Sequence, residues 1–181
     1  MTARRDGLQV IAELCGALGF TAPAVELLAP AQLPAAFQAL LAHSNGMTST
    51  LERHWRDSIG IELLSDDISL EQRSLFRFVV LRTKSSAQLV EIAFIRIPLE
   101  SFAGALRRRF IEAEQPFGTL LAEAGIRFRA VPQAYFTCQA DALLAAKCGL
   151  SEGTRLYGRV NQLLREDGVL LCETIEALPR V

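Results

Sequence analysis

The stretch TRLYGRVNQLLREDGVLLCETIEALP, residues 154–179, decides the fold of this chain. Two apolar-rich runs flank an Asp-Gly pair at residues 167–168, and this arrangement predicts a β-hairpin with a two-residue turn. With that turn, Arg159 lies opposite Glu176 on the neighbouring strand. Strand alternation then places Glu176 and Glu173 on opposite faces, each among apolar side chains.

These two acids of the hairpin have two interpretations. An ionised carboxylate among apolar residues needs a partner, because otherwise its pKa rises. A cross-strand ion pair between Arg159 and Glu176 is the structural interpretation, and the hairpin alone favours it. A carboxyl group with a raised pKa is, however, also what general-acid catalysis requires.

The rest of the chain predicts an α+β domain whose sheet is largely antiparallel, with helices and the core on one face. The length of 181 residues suits one domain over residues 1–181, with N-terminal helices in 1–57 and the sheet with further helices in 58–181. Apolar spacing predicts helices at 7–19, 34–43, 48–55, 99–114, 117–124 and 140–147, and further strands at 59–64, 76–82, 89–97 and 126–139.

Composition excludes several function classes. The net charge is -1 and the pI is near 6.2, which gives no electrostatic basis for binding nucleic acid. No apolar run is long enough to span a membrane and no signal peptide is visible, so a cytoplasmic protein is expected. The four cysteines lack metal or redox spacing. Because phosphate-loop, dinucleotide and zinc motifs are absent, we expect neither metal nor cofactor. Both a monomer and a homodimer are compatible with the sequence.

Three stretches together resemble the chorismate pyruvate-lyase family. They are LLAHSNGMTSTLERHW at 40–55, the strand LFRFVVLR with its partner at 75–97, and EQPFGTLL at 114–121. A Glu-x-x-Pro at 176–179 fits as well. The resemblance covers about residues 35–179 and rests on order and spacing. It implies a chorismate lyase-like fold in which a ligand is buried under helical flaps.

The resemblance implies a carbon-oxygen lyase that eliminates pyruvate from chorismate and leaves a hydroxybenzoate, in the family 4-hydroxybenzoate, without a cofactor. Carried over by motif, Arg77 would bind the ring carboxylate, for which the planar guanidinium is suited. Met47 and Phe117 would contact the ligand through backbone N–H groups and lie in the flaps. The isomer and the pathway stay open.

The catalytic acid has two candidates in this interpretation. Glu176 lies three residues before Pro179, close to the spacing between the catalytic acid and the proline in the family. The alternation of strand faces, counted from the turn, fits Glu173 better. If Arg159 holds Glu176, then Glu176 is structural. Arg159 could instead bind a substrate carboxylate.

Residues 140–179 also resemble the effector-binding domain of GntR-type transcription regulators, which is thought to share this fold. The shared pattern is a short helix, Gly-Leu-x-x-Gly, a strand, Asp-Gly and a last strand. This resemblance implies the alternative, a non-catalytic domain that senses a small aromatic acid. The sequence contains no winged-helix DNA-binding domain, and this favours the enzyme.

Overall fold

The computed structural model describes residues 6–69, 71, 73–112 and 115–181. Within this part of the chain, seven strands form one sheet in which every pair of neighbours is antiparallel. The strands are β1 Val25–Leu28, β2 Ile59–Ser69, β3 Ser74–Thr83, β4 Leu89–Pro98, β5 Phe128–Gln139, β6 Arg155–Arg165 and β7 Leu170–Leu178. Their order in the sheet is β1-β5-β6-β7-β4-β3-β2. The predicted α+β fold class is therefore confirmed.

Helices lie on both faces of the sheet. The helices are α1 Gly7–Ala17, α2 Ala35–Leu41, α3 Met47–Trp55, α4 Gly104–Glu112, α5 Phe117–Glu123 and α6 Ala142–Cys148. Helices α2 to α5 pack on the face that carries Val79 and Ala93, called the cavity face below. Helices α1 and α6 pack on the opposite face, which carries Phe78 and Phe94. The prediction placed helices and core on one face only, and the second layer corrects it.

The second helix layer follows from the composition of the central strands. β3 is buried at all but one position, and β4 is buried at eight of its ten. A strand that is apolar on both sides needs cover on both sides, because otherwise half of its side chains would face water. The nearly continuous apolar run LVEIAFIRI in β4 is typical of such a strand.

The hairpin of β6 and β7 has the predicted register but a different turn. Arg159 pairs with Glu176, and Gln162 pairs with Glu173, as predicted. The turn, however, has three residues, 166–168, since Arg165 donates its backbone N–H to the carbonyl of Val169. Gly168 takes the left-handed conformation with φ of 85°, as in a type I turn with a glycine bulge. An irregularity between Leu163 and Leu164 restores the register beyond the turn.

Two local predictions were wrong for identifiable reasons. The edge strand β1 was not predicted, because its four residues follow a proline and show no clear alternation. The helix predicted over 99–114 is a 3-10 turn at Leu99–Ser101 followed by α4. Phe102 is extended between them and buries its ring in the core. The predicted end at 114 lies outside the described residues. The single-domain organisation stays a prediction.

Candidate ligand-binding site

A cavity of about 310 Å³ lies between the cavity face of the sheet and the first turns of α3 and α5. This volume is at the lower end of the range typical of small-molecule sites. Its floor comes from the adjacent strands β3, β4 and β7, and its roof comes from the two helix starts and β5. The floor residues include Val79, Leu81, Glu91, Ala93, Ile95, Cys172, Thr174 and Glu176, and the roof residues include Gly46, Met47, Thr48, Ser49, Pro116, Phe117, Gly118, Thr119 and Phe128.

The roof of the cavity is formed where α3 begins. Gly46 precedes α3 and supplies no side-chain cap, so the first backbone N–H groups of the helix have no side-chain acceptor. The helix predicted over 48–55 begins one residue earlier, at Met47. Phe117 begins α5 and packs against Phe110 of α4, with their ring centroids 4.8 Å apart. Met47 and Phe117 thus both line the cavity, one from each helix start.

Glu176 lines the floor, and Arg159 holds it. The fully buried Arg159 donates from Nε to Oε2 of Glu176 at 2.5 Å. Its Nη1 donates to the carbonyl oxygens of Leu41 at 2.8 Å and of His43 at 3.0 Å. These carbonyls stand at and just beyond the C-terminal end of α2, where backbone acceptors lack helical partners and a cation is favoured. The predicted cross-strand ion pair between Arg159 and Glu176 is therefore present.

Arg77 and Glu173 are not brought to the cavity. Arg77 lies on the cavity face, but its Nη2 donates to the carbonyl oxygen of Ile111 in α4 at 2.7 Å. Burial lowers the pKa of its guanidinium. Glu173 lies on the opposite face, fully buried, with Oε2 2.8 Å from Nη2 of Arg96. The structure gathers Met47, Phe117 and Glu176, with Arg159 behind Glu176. The ligand-binding roles of these residues stay proposals.

Glu91 is a cavity residue that the sequence analysis missed. It lies in the central strand β4, lines the floor and is only 3% exposed. Its Oε2 has no hydrogen-bond partner among the described residues. Burial raises the pKa of this carboxyl group well above its ordinary value, and neighbouring Glu176 raises it further, while Arg159 opposes the shift. The available signal was strand alternation, since Glu91 shares a face with Ala93 and Ile95.

Further buried polar atoms on the cavity face lack partners within the described part of the chain. They include Oγ1 of Thr174, both side-chain polar atoms of Asn161 and Nη2 of Arg159. Thr174 lines the cavity itself. Because buried polar groups in proteins are nearly always hydrogen-bonded, this cluster marks a place suited to a bound polar group or water.

The raised pKa of Glu91 predicts how the stability of the empty domain depends on pH. The folded state holds the proton of Glu91 more tightly than the unfolded chain does. Above about pH 4.3, the ordinary pKa of Glu, the unfolded chain loses this proton first. The free energy of unfolding therefore falls as the pH rises, until the pH passes the folded-state pKa.

Glu91→Gln removes this titration, and we expect it to be more stable than the wild type at pH 8. The difference should shrink toward pH 4.5, because the unfolded wild type regains much of this proton as the pH approaches its ordinary pKa. Urea denaturation at the two pH values measures it. The control is Glu152→Gln, since Glu152 is exposed and lies in a loop. A difference independent of pH would contradict the assignment of a raised pKa to Glu91.

Comparison with known proteins agrees with the fold. No family model and no curated protein sequence matches the chain. Solved structures do match, and one is PhnF from Mycobacterium smegmatis, with a TM-score of 0.57 and 20% identity over 74% of this chain and 63% of that one. The effector domain of PhnF has a TM-score of 0.56 and 19% identity over 74% of this chain and 87% of that one. A protein from Escherichia coli CFT073, named as a regulator, has a TM-score of 0.53 and 11% identity over 67% of this chain and 96% of that one.

This chain has the fold of a regulator effector domain. It spans 63% of the PhnF chain, and at 20% identity the likeness shows the fold alone. We predicted that this chain shares its fold with the effector domains of GntR-type regulators, and this prediction is confirmed. None of the described helices has both the length and the apolarity that crossing a bilayer requires. Among the described residues, no cluster of His, Cys, Asp and Glu could hold a metal ion.

The prediction of a chorismate pyruvate-lyase was wrong. The reported structural neighbours are regulators and an effector domain, and no lyase is among them. The two acids proposed for catalysis are also both engaged in buried ion pairs, Glu176 with Arg159 and Glu173 with Arg96. The prediction of an enzyme had relied on the lack of a winged-helix pattern in the sequence, but whether a neighbouring domain is present says nothing about chemistry in this cavity.

Proposed function

We propose that this chain is a non-catalytic sensing domain that binds a small acid with an aromatic body in the cavity beneath α3 and α5. The observation that supports this most is the character of the walls. Apolar side chains surround a few buried polar atoms without partners, and this combination is typical of sites for small molecules.

The body of the ligand would lie against the apolar part of the cavity. Val79, Leu81 and Ile95 form a flat wall on the sheet, and Phe117 and Phe128 face them from the roof. A planar ring between such walls would bury most of its surface, which is the main source of affinity for an apolar body.

The acidic group of the ligand would lie at the start of α3. The backbone N–H groups of Met47 and Thr48 are free of side-chain caps there, and the positive end of the helix dipole favours an anion. The unpartnered side chains of the floor give independent support for a bound molecule at this place. Arg77 is the alternative anchor, provided that it leaves the carbonyl of Ile111.

In this proposal the roof transmits the signal. Helices α3 and α5 contact each other, and a Cβ atom added at Gly118 would lie 3.9 Å from Oγ1 of Thr48. A ligand beneath both helices would fix their positions relative to the sheet. A regulatory region in contact with these helices would respond to the change in their position. The domain itself, with its net charge of -1, is not expected to bind nucleic acid.

Calorimetry with benzoate and 4-hydroxybenzoate tests this proposal. We expect saturable binding to the wild type and at least a tenfold loss of affinity, about 1.4 kcal/mol, for Ala93→Leu. Ala93 lies in the centre of the floor and pairs with Glu176, so the larger isobutyl side chain of leucine would occupy the ligand's place.

The matched control is Ala124→Leu, because Ala124 is exposed at the end of α5 and does not line the cavity. Urea denaturation verifies that both variants are folded. Equal affinity in Ala93→Leu and the wild type would place the ligand elsewhere. If neither benzoate nor 4-hydroxybenzoate binds to the wild type, the proposal is rejected.

A further inference from the structure

We infer that the floor of the cavity binds a positively charged amino group of the ligand, with Glu91 as its counter-ion. The inference rests on the proposed sensing function and narrows its ligand class. The ligand would be an amino acid in the broad sense, with an anionic group near α3, an apolar body and an ammonium group at the floor.

The charges that line the cavity favour a cation at the floor. Three carboxyl groups line it, those of Glu52, Glu91 and Glu176. Among the described residues, the lining contains no lysine, arginine or histidine. The buried cation beside it, Arg159, donates to Glu176 and to two backbone carbonyls, and its single charge is compensated by Glu176, although its Nη2 has no partner among the described residues. A second anion at the floor would therefore have no counter-charge.

The arrangement of acceptors also suits an ammonium group. Ala93 pairs with Glu176 across β4 and β7, so Glu91 and Glu176 are diagonal neighbours on one face. An ammonium group has three N–H donors and no acceptor, and these side chains present acceptors to it.

The empty cavity leaves Glu91 without the charge that would stabilise its ionised form. It is buried beside a second carboxylate, and the guanidinium of Arg159 offsets this only in part. A bound ammonium group would supply the missing positive charge, and Glu91 would then release its proton to the solvent. Binding of a cationic ligand at neutral pH should therefore be accompanied by proton release.

Three probes with the same carboxylate and the same ring test the inference. They are 4-(aminomethyl)benzoate, with an ammonium group, 4-(hydroxymethyl)benzoate, with a neutral hydroxyl group of similar size, and 4-methylbenzoate. We expect the aminomethyl compound to bind at least tenfold more tightly than the other two. Calorimetry in buffers of different ionisation enthalpy should show proton release for this compound only.

Variants identify the residue that is responsible. Glu91→Gln should abolish both the tenfold preference and the proton release, whereas the exposed control Glu152→Gln should preserve both. A persisting preference in Glu91→Gln, or equal binding of the hydroxymethyl compound to the wild type, would overturn the inference while leaving the sensing function intact. If none of the three compounds binds, the proposed function fails, and the inference fails with it.

Discussion

Arg159→Met is expected to lower the free energy of unfolding by about 3–5 kcal/mol, the typical cost of removing one partner from a buried ion pair. Arg159 is fully buried and holds the carboxylate of Glu176 together with the carbonyls of Leu41 and His43. Methionine fills much of the same space but donates no hydrogen bond. The variant would leave a buried carboxylate and two carbonyls without their donor.

Urea denaturation measures this loss, and a second ion pair provides the control. Arg127 pairs with Glu166 at 3.4 Å, but their side chains are 83% and 65% exposed. Arg127→Met should therefore change stability very little. The double variant Arg159→Met/Glu176→Leu should recover part of the loss, since it leaves no buried charge unpaired. An Arg159→Met variant as stable as Arg127→Met would refute the role of this pair in joining α2 to the sheet.

Gly158→Ala is expected to have the second-largest effect, at least about 1–3 kcal/mol of destabilisation from overpacking. A Cβ atom at Gly158 would lie 2.5 Å from Cζ of Phe136 and 2.6 Å from the carbonyl oxygen of Glu176. The phenylalanine is in the core and the carbonyl belongs to β7, so neither can move away easily. The strand β7, and with it the floor of the cavity, would be displaced.

The same substitution in α1 is the matched control for Gly158→Ala. Gly16 lies inside the helix, and a Cβ atom there would meet no atom within 4 Å. Gly16→Ala should stabilise the protein by about 0.5–1 kcal/mol, because alanine loses less backbone entropy in a helix. Thermal denaturation of the two variants should shift in opposite directions. A shift in the same direction would contradict the close approach at Gly158.

The sequence predicted the register of the central hairpin because two independent signals agreed. The Asp-Gly pair located the turn, and the alternation of apolar residues determined which side chains face the core. The exact turn was less predictable, since a third turn residue and an irregularity after Leu163 compensate for each other in the register. A strand as short as β1 carries too few residues for a periodic signal.

The site was only partly predictable for a different reason. Met47, Phe117 and Glu176 were found through their positions in matched segments, and all three line the cavity. The acceptors that hold Arg159 are 116 and 118 residues away in the chain, and no local pattern reveals such contacts. Glu91 was not predicted, because the resemblance to the lyase family places its acid on the last strand, β7, and none on β4.

The function was mispredicted because one fold serves both enzymes and sensors. The segments that resembled the lyase family describe the sheet, the flaps and the cavity, which a sensing domain of the same fold needs equally. What separates the two functions is whether an acid is free to donate a proton or is held in an ion pair. That depends on residues distant in the sequence. Glu173 shows this most clearly, since it forms an ion pair with Arg96 on the neighbouring strand.

The most direct measurement of the central claim uses the methyl groups of methionine. The chain has two methionines, Met1 and Met47, and Met47 lines the cavity at the start of α3. Protein labelled with carbon-13 at these methyl groups should give two resonances, which Met47→Leu assigns. Titration with 4-hydroxybenzoate should shift the Met47 resonance saturably, because an aromatic ring would lie beside it. A Met47 resonance that stays in place at millimolar ligand would contradict binding in this cavity.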